Sequence, residues 1–328
     1  MDNRDHSSVS HPPGGGRHRK TAAVLPLAAA LILAFLIAAA YAVAGRRLSP
    51  RLQVTPPLEQ PEAEASPLER RPESTPPAIP DYAELEKAVK QTIQGKTGTW
   101  GVYVEDLNTG LRFGINPDLE FVAASTIKVP LVLFLYRQAQ DGKLDLNETL
   151  AIKPEDYESG TGRLQSRPVG SRYTLRELAR LALVDSDNVA TRMLLRRLGR
   201  ESFQAYVHEL GAFISPDREN VTSPRDMAAF FKAVLAFKKE APALGGELLD
   251  ALQHTNFNDR IPALLPPDTP VAHKIGNQVR VVNDAGLVLL PRHPYLISLF
   301  TDDVNEGEAT ATLAQISKLV YDYQAGLR

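Results

Sequence analysis

The chain has 328 residues, of which 43% are apolar and 23% charged, enough for one sizeable core. Its 37 Lys plus Arg against 39 Asp plus Glu leave a net charge of -2, so no overall field draws it to nucleic acid, which is excluded as a partner class. The absence of cysteine excludes a disulfide framework, a thiol nucleophile, cysteine-ligated zinc and a lipidated cysteine anchor. The 7 histidines show no metal-binding spacing.

Residues 1–21 are polar and glycine-rich and read as a disordered cytoplasmic tail. The 23 residues of 22–44 carry no charge. At about 1.5 Å per residue they reach roughly 35 Å, enough to span a hydrocarbon layer of roughly 30 Å with some tilt. A soluble helix of that length would show a polar face, and this one has none, which predicts a single-pass membrane helix. Arginines flank it on both sides (Arg17 and Arg19 before, Arg46, Arg47 and Arg51 after), so charge alone does not orient it. Ala42-Val43-Ala44 also resembles a signal-peptidase site, but the apolar run is longer than a signal-peptide core, which favours an uncleaved anchor. Residues 45–80 hold nine prolines among Glu, Arg and Ser, the composition of a semi-rigid linker.

The folded region is expected over 81–328. Tyr82, Leu85, Ala88 and Val89 recur at helical spacing. Trp100 to Leu107 alternates like a strand, Asn108-Thr109-Gly110 signals a turn, and Leu111 to Ile115 reads as the hairpin partner. From Ser125 to about Leu252 the periodicity is mostly helical, with a capping box at Thr174 to Glu177. Strand signals return at 270–275, 280–290 and 295–300, and a last helix is expected over about 308–323. The pattern predicts an α/β (α+β) fold: one antiparallel sheet built from both chain ends and flanked by helices, with an inserted all-helical subdomain and a cleft between the two.

Three motifs carry chemistry. Phe121 to Tyr136 reads FVAASTIKVPLVLFLY, in which Ser125 and Lys128 lie three apart and share a helix face. A serine hydroxyl needs a base to become a nucleophile, and a lysine serves when burial lowers its pKa. A Ser-x-x-Lys occurs about once by chance in a chain of this length, and a buried helix with a snorkelling lysine explains it equally well. Ser186-Asp187-Asn188 is far less expected by chance; its plain reading is a turn with Ser or Asp capping the next helix. His273-Lys274-Ile275-Gly276-Asn277 lies on a predicted strand, where Gly276 permits close approach and the Asn277 N–H is a candidate oxyanion donor beside that of Ser125.

In this order the motifs resemble those of class A β-lactamases and penicillin-recognising serine hydrolases. The resemblance runs from about residue 82 to the end and includes Ser159-Gly160-Thr161-Gly162 and Asn283-Asp284. It implies that Ser125 is the acylated nucleophile, Lys128 its base and Ser186 a proton relay to the leaving nitrogen. By the same resemblance Lys274 attracts a substrate carboxylate, Asn188 orients the substrate amide, Gly276 and Asn277 line the site, and Asp187 orders its own loop. It implies no metal and no cofactor, and a β-lactam or peptidoglycan-like peptide as substrate. The catalytic domain is expected outside the cytoplasm, held at the cell membrane and monomeric. Two departures stand out. The loop that carries the family's deacylating glutamate is nearly deleted, leaving only Asp217 and Glu219 between Leu210 and Thr222, and Ile275 replaces a hydroxyl residue whose loss Arg280 is a candidate to offset. The alternatives are a D-alanyl-D-alanine peptidase and a non-turnover penicillin-binding sensor. His273 reads as a strand neighbour tuning Lys274 rather than as a base.

Overall fold

The computed structural model describes residues 82–212 and 220–327. The membrane helix expected at 22–44, the tail before it, the linker 45–80, and Asp217 and Glu219 lie outside them. Among the described residues no helix is long and apolar enough to cross a membrane.

Helix α1 (Ala83–Ile93) opens the fold and is followed by the hairpin β1 (Thr99–Asp106) and β2 (Arg112–Ile115). After the short β3 (Phe121–Val122), a 3-10 turn (Ala124–Ile127) runs directly into α2 (Lys128–Gln140). The short β4 (Thr149–Ala151) and β5 (Arg172–Thr174) pair with each other, and helices α3 (Leu175–Val184), α4 (Asn188–Leu198) and α5 (Arg200–Glu209) follow. Next come β6 (Val221–Thr222), α6 (Pro224–Glu240) and α7 (Pro242–Gln253). Strands β7 (Val271–Gln278), β8 (Val281–Val288) and β9 (Tyr295–Asp302) and helix α8 (Glu306–Gly326) complete the chain.

The main sheet is antiparallel in the order β2-β1-β9-β8-β7. The first hairpin and the last three strands meet at β1 and β9, paired from Thr99↔Asp302 to Asp106↔Tyr295, so both chain ends build one sheet as expected. Two cores result from the alternation of strand side chains. Val102, Val104, Ile297 and Leu299 pack with Leu85, Val89 and Leu313 of α1 and α8 on one face. Tyr103, Ala285, Leu296 and Phe300 join the helical part on the other. The middle of the chain is helical apart from the β4–β5 ribbon and the β3–β6 pair, whose strands of two or three residues are too short to leave a period-2 signal.

Helix α2 is the axis of the helical part. Its residues Lys128 to Tyr136 are all buried, which explains a sequence that is apolar on every side. Pro130 sits in the first turn of α2, the part of a helix where proline is tolerated. The capping box on α3 forms as the sequence indicates: Thr174 Oγ1 accepts from Glu177 N at 3.1 Å, and Glu177 Oε2 accepts from Thr174 N at 2.7 Å. Replacing Thr174 by alanine is expected to cost about 1 kcal/mol. For a domain of this size that lowers Tm by about 2–4 °C, which a thermal melt reads directly.

Candidate active site

Strand β7 is one of the two edge strands of the sheet, and the 3-10 turn carrying Ser125 packs against it. That approach requires Gly276: a Cβ there would stand 2.7 Å from Ala123 O and 3.2 Å from Ser125 N. Asn283 of β8 fixes the segment leading into the turn, donating from Nδ2 to Val122 O at 2.8 Å while its Oδ1 accepts from Thr301 N at 3.0 Å. Ala124, just before Ser125, has φ +48°, and Ser186 has φ +53°. Two non-glycine residues in the left-handed region at one site are the kind of local strain that surrounding packing must hold in place. Ser125 is half-buried and faces a cleft of about 500 Å³ that Lys128, Ser186, Asn188 and Asn277 also line.

The Ser186-Asp187-Asn188 segment forms the opposite wall. Asp187 caps α4, as the plain reading of the tripeptide allowed, accepting from Ala190 N at 2.9 Å. Its other oxygen accepts from Leu164 N at 2.8 Å, which ties the 160s loop to the helix. Gly162 (φ +114°) completes that junction, since a Cβ would collide with the Asp187 carboxylate at 2.3–2.4 Å. Thr161 Oγ1 donates to Ser186 O at 2.6 Å, Asn188 N donates to Thr161 O at 3.1 Å, and Asn188 Nδ2 donates to Ser159 O at 2.7 Å. Asp187 is fully buried. Its replacement by alanine strands two backbone donors, with an expected loss of about 3 kcal/mol and a loosened cleft wall. Chemical denaturation measures the first and local hydrogen exchange at Leu164 and Ala190 the second.

At the centre, two lysines converge on one hydroxyl. Lys128 Nζ donates to Ser186 O at 2.6 Å, Ser186 Oγ at 3.2 Å and Asn188 Oδ1 at 2.7 Å. Lys274 Nζ donates to Ser186 Oγ at 3.0 Å and Ile275 O at 3.1 Å, and lies 5.8 Å from the centre of the Phe257 ring. Burial pushes the Lys128 ammonium down to about 8, opposed by the charges of Asp187 and Glu158. Lys274 is fully buried and held well below the ordinary lysine range, first by burial and then by the Lys128 charge. Two ammonium groups on one serine oxygen are costly, so the pair titrates as a unit and readily gives up one of its protons. With both nitrogens donating to its lone pairs, Ser186 Oγ keeps its own proton to donate into the cleft.

Two expectations are corrected by this geometry. His273 points away from Lys274, because consecutive strand side chains face opposite sides. It is fully buried, with Nδ1 2.9 Å from Asp284 Oδ1 and Nε2 3.2 Å from Asn258 Oδ1. The charge that favours protonated Lys274 is that of Asp284, and no histidine contributes. Arg280 sits on the β7–β8 turn, paired with Asp303, and does not line the cleft, whereas Ile275 does. Sequence reasoning missed Glu158, Arg192 and Phe257 as cleft residues. Glu158 stands just before Ser159-Gly160-Thr161-Gly162 and had a positional signal; Arg192 and Phe257 had none. Among the described residues no cluster of His, Asp and Glu is placed to hold a metal ion.

A model described as the beta-lactamase enzyme family matches residues 84–324. The extended-spectrum β-lactamase PER-1 of Pseudomonas aeruginosa is 27% identical, over 73% of this chain and 87% of its own. Among solved structures, PBP-A is 30% identical with a TM-score of 0.69, covering 76% of this chain and 98% of PBP-A. An ancestral class A β-lactamase is 25% identical with a TM-score of 0.67, covering 73% and 99%. With a family match over nearly the whole described region and the same sheet and helix arrangement, this chain belongs to the β-lactamase enzyme family and is a serine hydrolase of the class A type.

Proposed function

We propose that the chain attacks a β-lactam-type amide with Ser125 and forms an acyl-enzyme, working outside the cytoplasm on a domain tethered by residues 22–44. The observation that carries this reading is the convergence of Lys128 and Lys274 on Ser186 Oγ beside the half-buried Ser125. Neutral Lys128 takes the Ser125 proton as Oγ attacks the amide carbon. The N–H groups of Ser125 and Asn277, brought close by Gly276, stabilise the oxyanion. Ser186 passes its proton to the leaving nitrogen and is reprotonated by the lysine pair, while Lys274 Nζ, a donor whether neutral or charged, offers an N–H to the substrate carboxylate on the sheet side. Asn188 holds the amide of the acyl group.

Hydrolysis of the ester then needs a base for water. Glu158 is the carboxylate lining the cleft among the described residues, and it is paired with Arg192. That pairing favours a long-lived acyl-enzyme, the behaviour of a peptidase or a penicillin-binding sensor, over rapid turnover. A variant of PBP-A has been solved as an acyl-enzyme complex with penicillin G. Incubating the chain with a fluorescent penicillin and with nitrocefin separates the outcomes. A stable adduct mapped to Ser125 with at most one equivalent of colour supports slow deacylation, colour well beyond one equivalent supports a working β-lactamase, and neither signal removes the acyl-enzyme reading.

A further inference from the structure

Two arginine–carboxylate pairs lie one turn apart on α4 and are built differently. Arg196 grips Asp156 through Nε and Nη2, each at 2.8 Å, and the Asp156 carboxylate also accepts from Lys153 N at 2.8 Å. That carboxylate is 2% exposed, and the closed fork holds the turn at Pro154–Asp156 to the helix. Arg192 meets Glu158 through a single contact, Nε to Oε2 at 3.4 Å, with side chains 44% and 50% exposed. Among the described residues the two make no other polar side-chain contact. Such a wet, single-contact pair adds little to stability, and both partners line the cleft that holds Ser125.

A hydrated acid and base facing the reaction chamber constrain the ligand that fits them. A lone cation meets the repulsion of Arg192 and a lone anion that of Glu158, while an apolar group strips water from both without replacing it. A group carrying an ammonium and a carboxylate on one carbon satisfies each charge, with the guanidinium fork matched to the carboxylate. The pair sits on the helical wall beside Asn188, whose Nδ2 holds Ser159 O, whereas Lys274 belongs to the sheet wall. We infer that Glu158 and Arg192 form a specificity subsite for a free α-amino-acid end, ammonium on Glu158 and carboxylate on Arg192, carried by the acyl side chain of the substrate. This inference rests on the acyl-enzyme reading of Ser125 and adds the chemistry of the side chain.

The test compares penicillins that share a nucleus. The full chain is treated with a phenylacetyl penicillin and with one bearing an α-aminoadipyl side chain, and second-order rates of adduct formation are followed by intact mass. The aminoadipyl compound is expected to acylate about tenfold faster or more, the size of a gained pair of charge-assisted hydrogen bonds. N-acetylation of its amine should abolish the preference in wild type but have no effect in Glu158→Gln. Conversion of the side-chain carboxylate to an amide should abolish it in wild type but have no effect in Arg192→Gln. Glu158→Gln also removes an anion that favours protonated Lys128, so the acid limb of the acylation rate should move to lower pH, a change a purely structural role would not produce. Equal rates for the two penicillins in wild type, or a preference that survives in both variants, overturn the subsite. Adduct with neither penicillin overturns the Ser125 reading, and the subsite with it.

Discussion

Ser125→Ala is expected to abolish covalent labelling by penicillins and to lower any turnover by about 10³-fold or more, since without the hydroxyl there is no nucleophile to form the ester. The folded state should barely change. Ser125 is half-buried on a 3-10 turn whose backbone is held by its neighbours, and Thr126, not Ser125, bonds its hydroxyl back to Ala123 O at 2.7 Å. Removal of one partly exposed hydroxyl is expected to move stability by about 0.5 kcal/mol at most. Intact mass after incubation with a penicillin, alongside a thermal melt, reads both quantities. An adduct that persists in the variant and maps to Ser186 would transfer the nucleophile's role across the cleft and overturn the assignment.

Lys128→Met carries the second large effect, because methionine keeps the buried stem while removing the base. Acylation is expected to slow by about 10²–10⁴-fold, the usual contribution of a positioned general base. In wild type the acylation rate should climb with pH through about 8, where the Lys128 ammonium gives up its proton, and then level off. That limb belongs to the coupled lysine pair and should be lost or moved in the variant. Stability supplies an independent check on the sign. The folded-state pKa lies below the free-lysine value of 10.5, so the native state holds fewer protons than the unfolded chain between about 8 and 10.5. Stability therefore rises with pH across that window, and below it the cost of the buried charge is fully present. Lys274 acts in the same direction, so the rise should be smaller in Lys128→Met than in wild type without vanishing. Denaturation at pH 7.5 and 9.5 for both proteins measures the difference, and an equal rise in each would remove Lys128 from the account.

The ordering of these effects follows from where each residue sits. Thr174 lies at an exposed helix end and contributes a cap. Asp187 is fully buried and satisfies backbone donors from two segments. In the proposed reading Ser125 acts on a substrate with little effect on stability, whereas Lys128 also carries the cost of a buried charge.

From the sequence alone came the types of the long elements, the return of both chain ends to one sheet, and the three motifs, but not the short strands β3 to β6. These signals are local: strand alternation in Trp100 to Asp106, a capping box at Thr174, and an apolar run around Ser125 and Lys128 that only a buried helix explains. Tertiary structure alone decided what the polar side chains meet. Lys274 reaches Ser186 across 88 positions of sequence, and Arg192 joins Ser125 in one cleft without any local pattern. His273 and Lys274 are neighbours in sequence yet serve opposite faces of β7, and Arg280 is held at a distant turn by Asp303. Periodicity encodes which face of an element is apolar, whereas the partner of a charge depends on how elements far apart in the chain are brought together, and no short window contains that information.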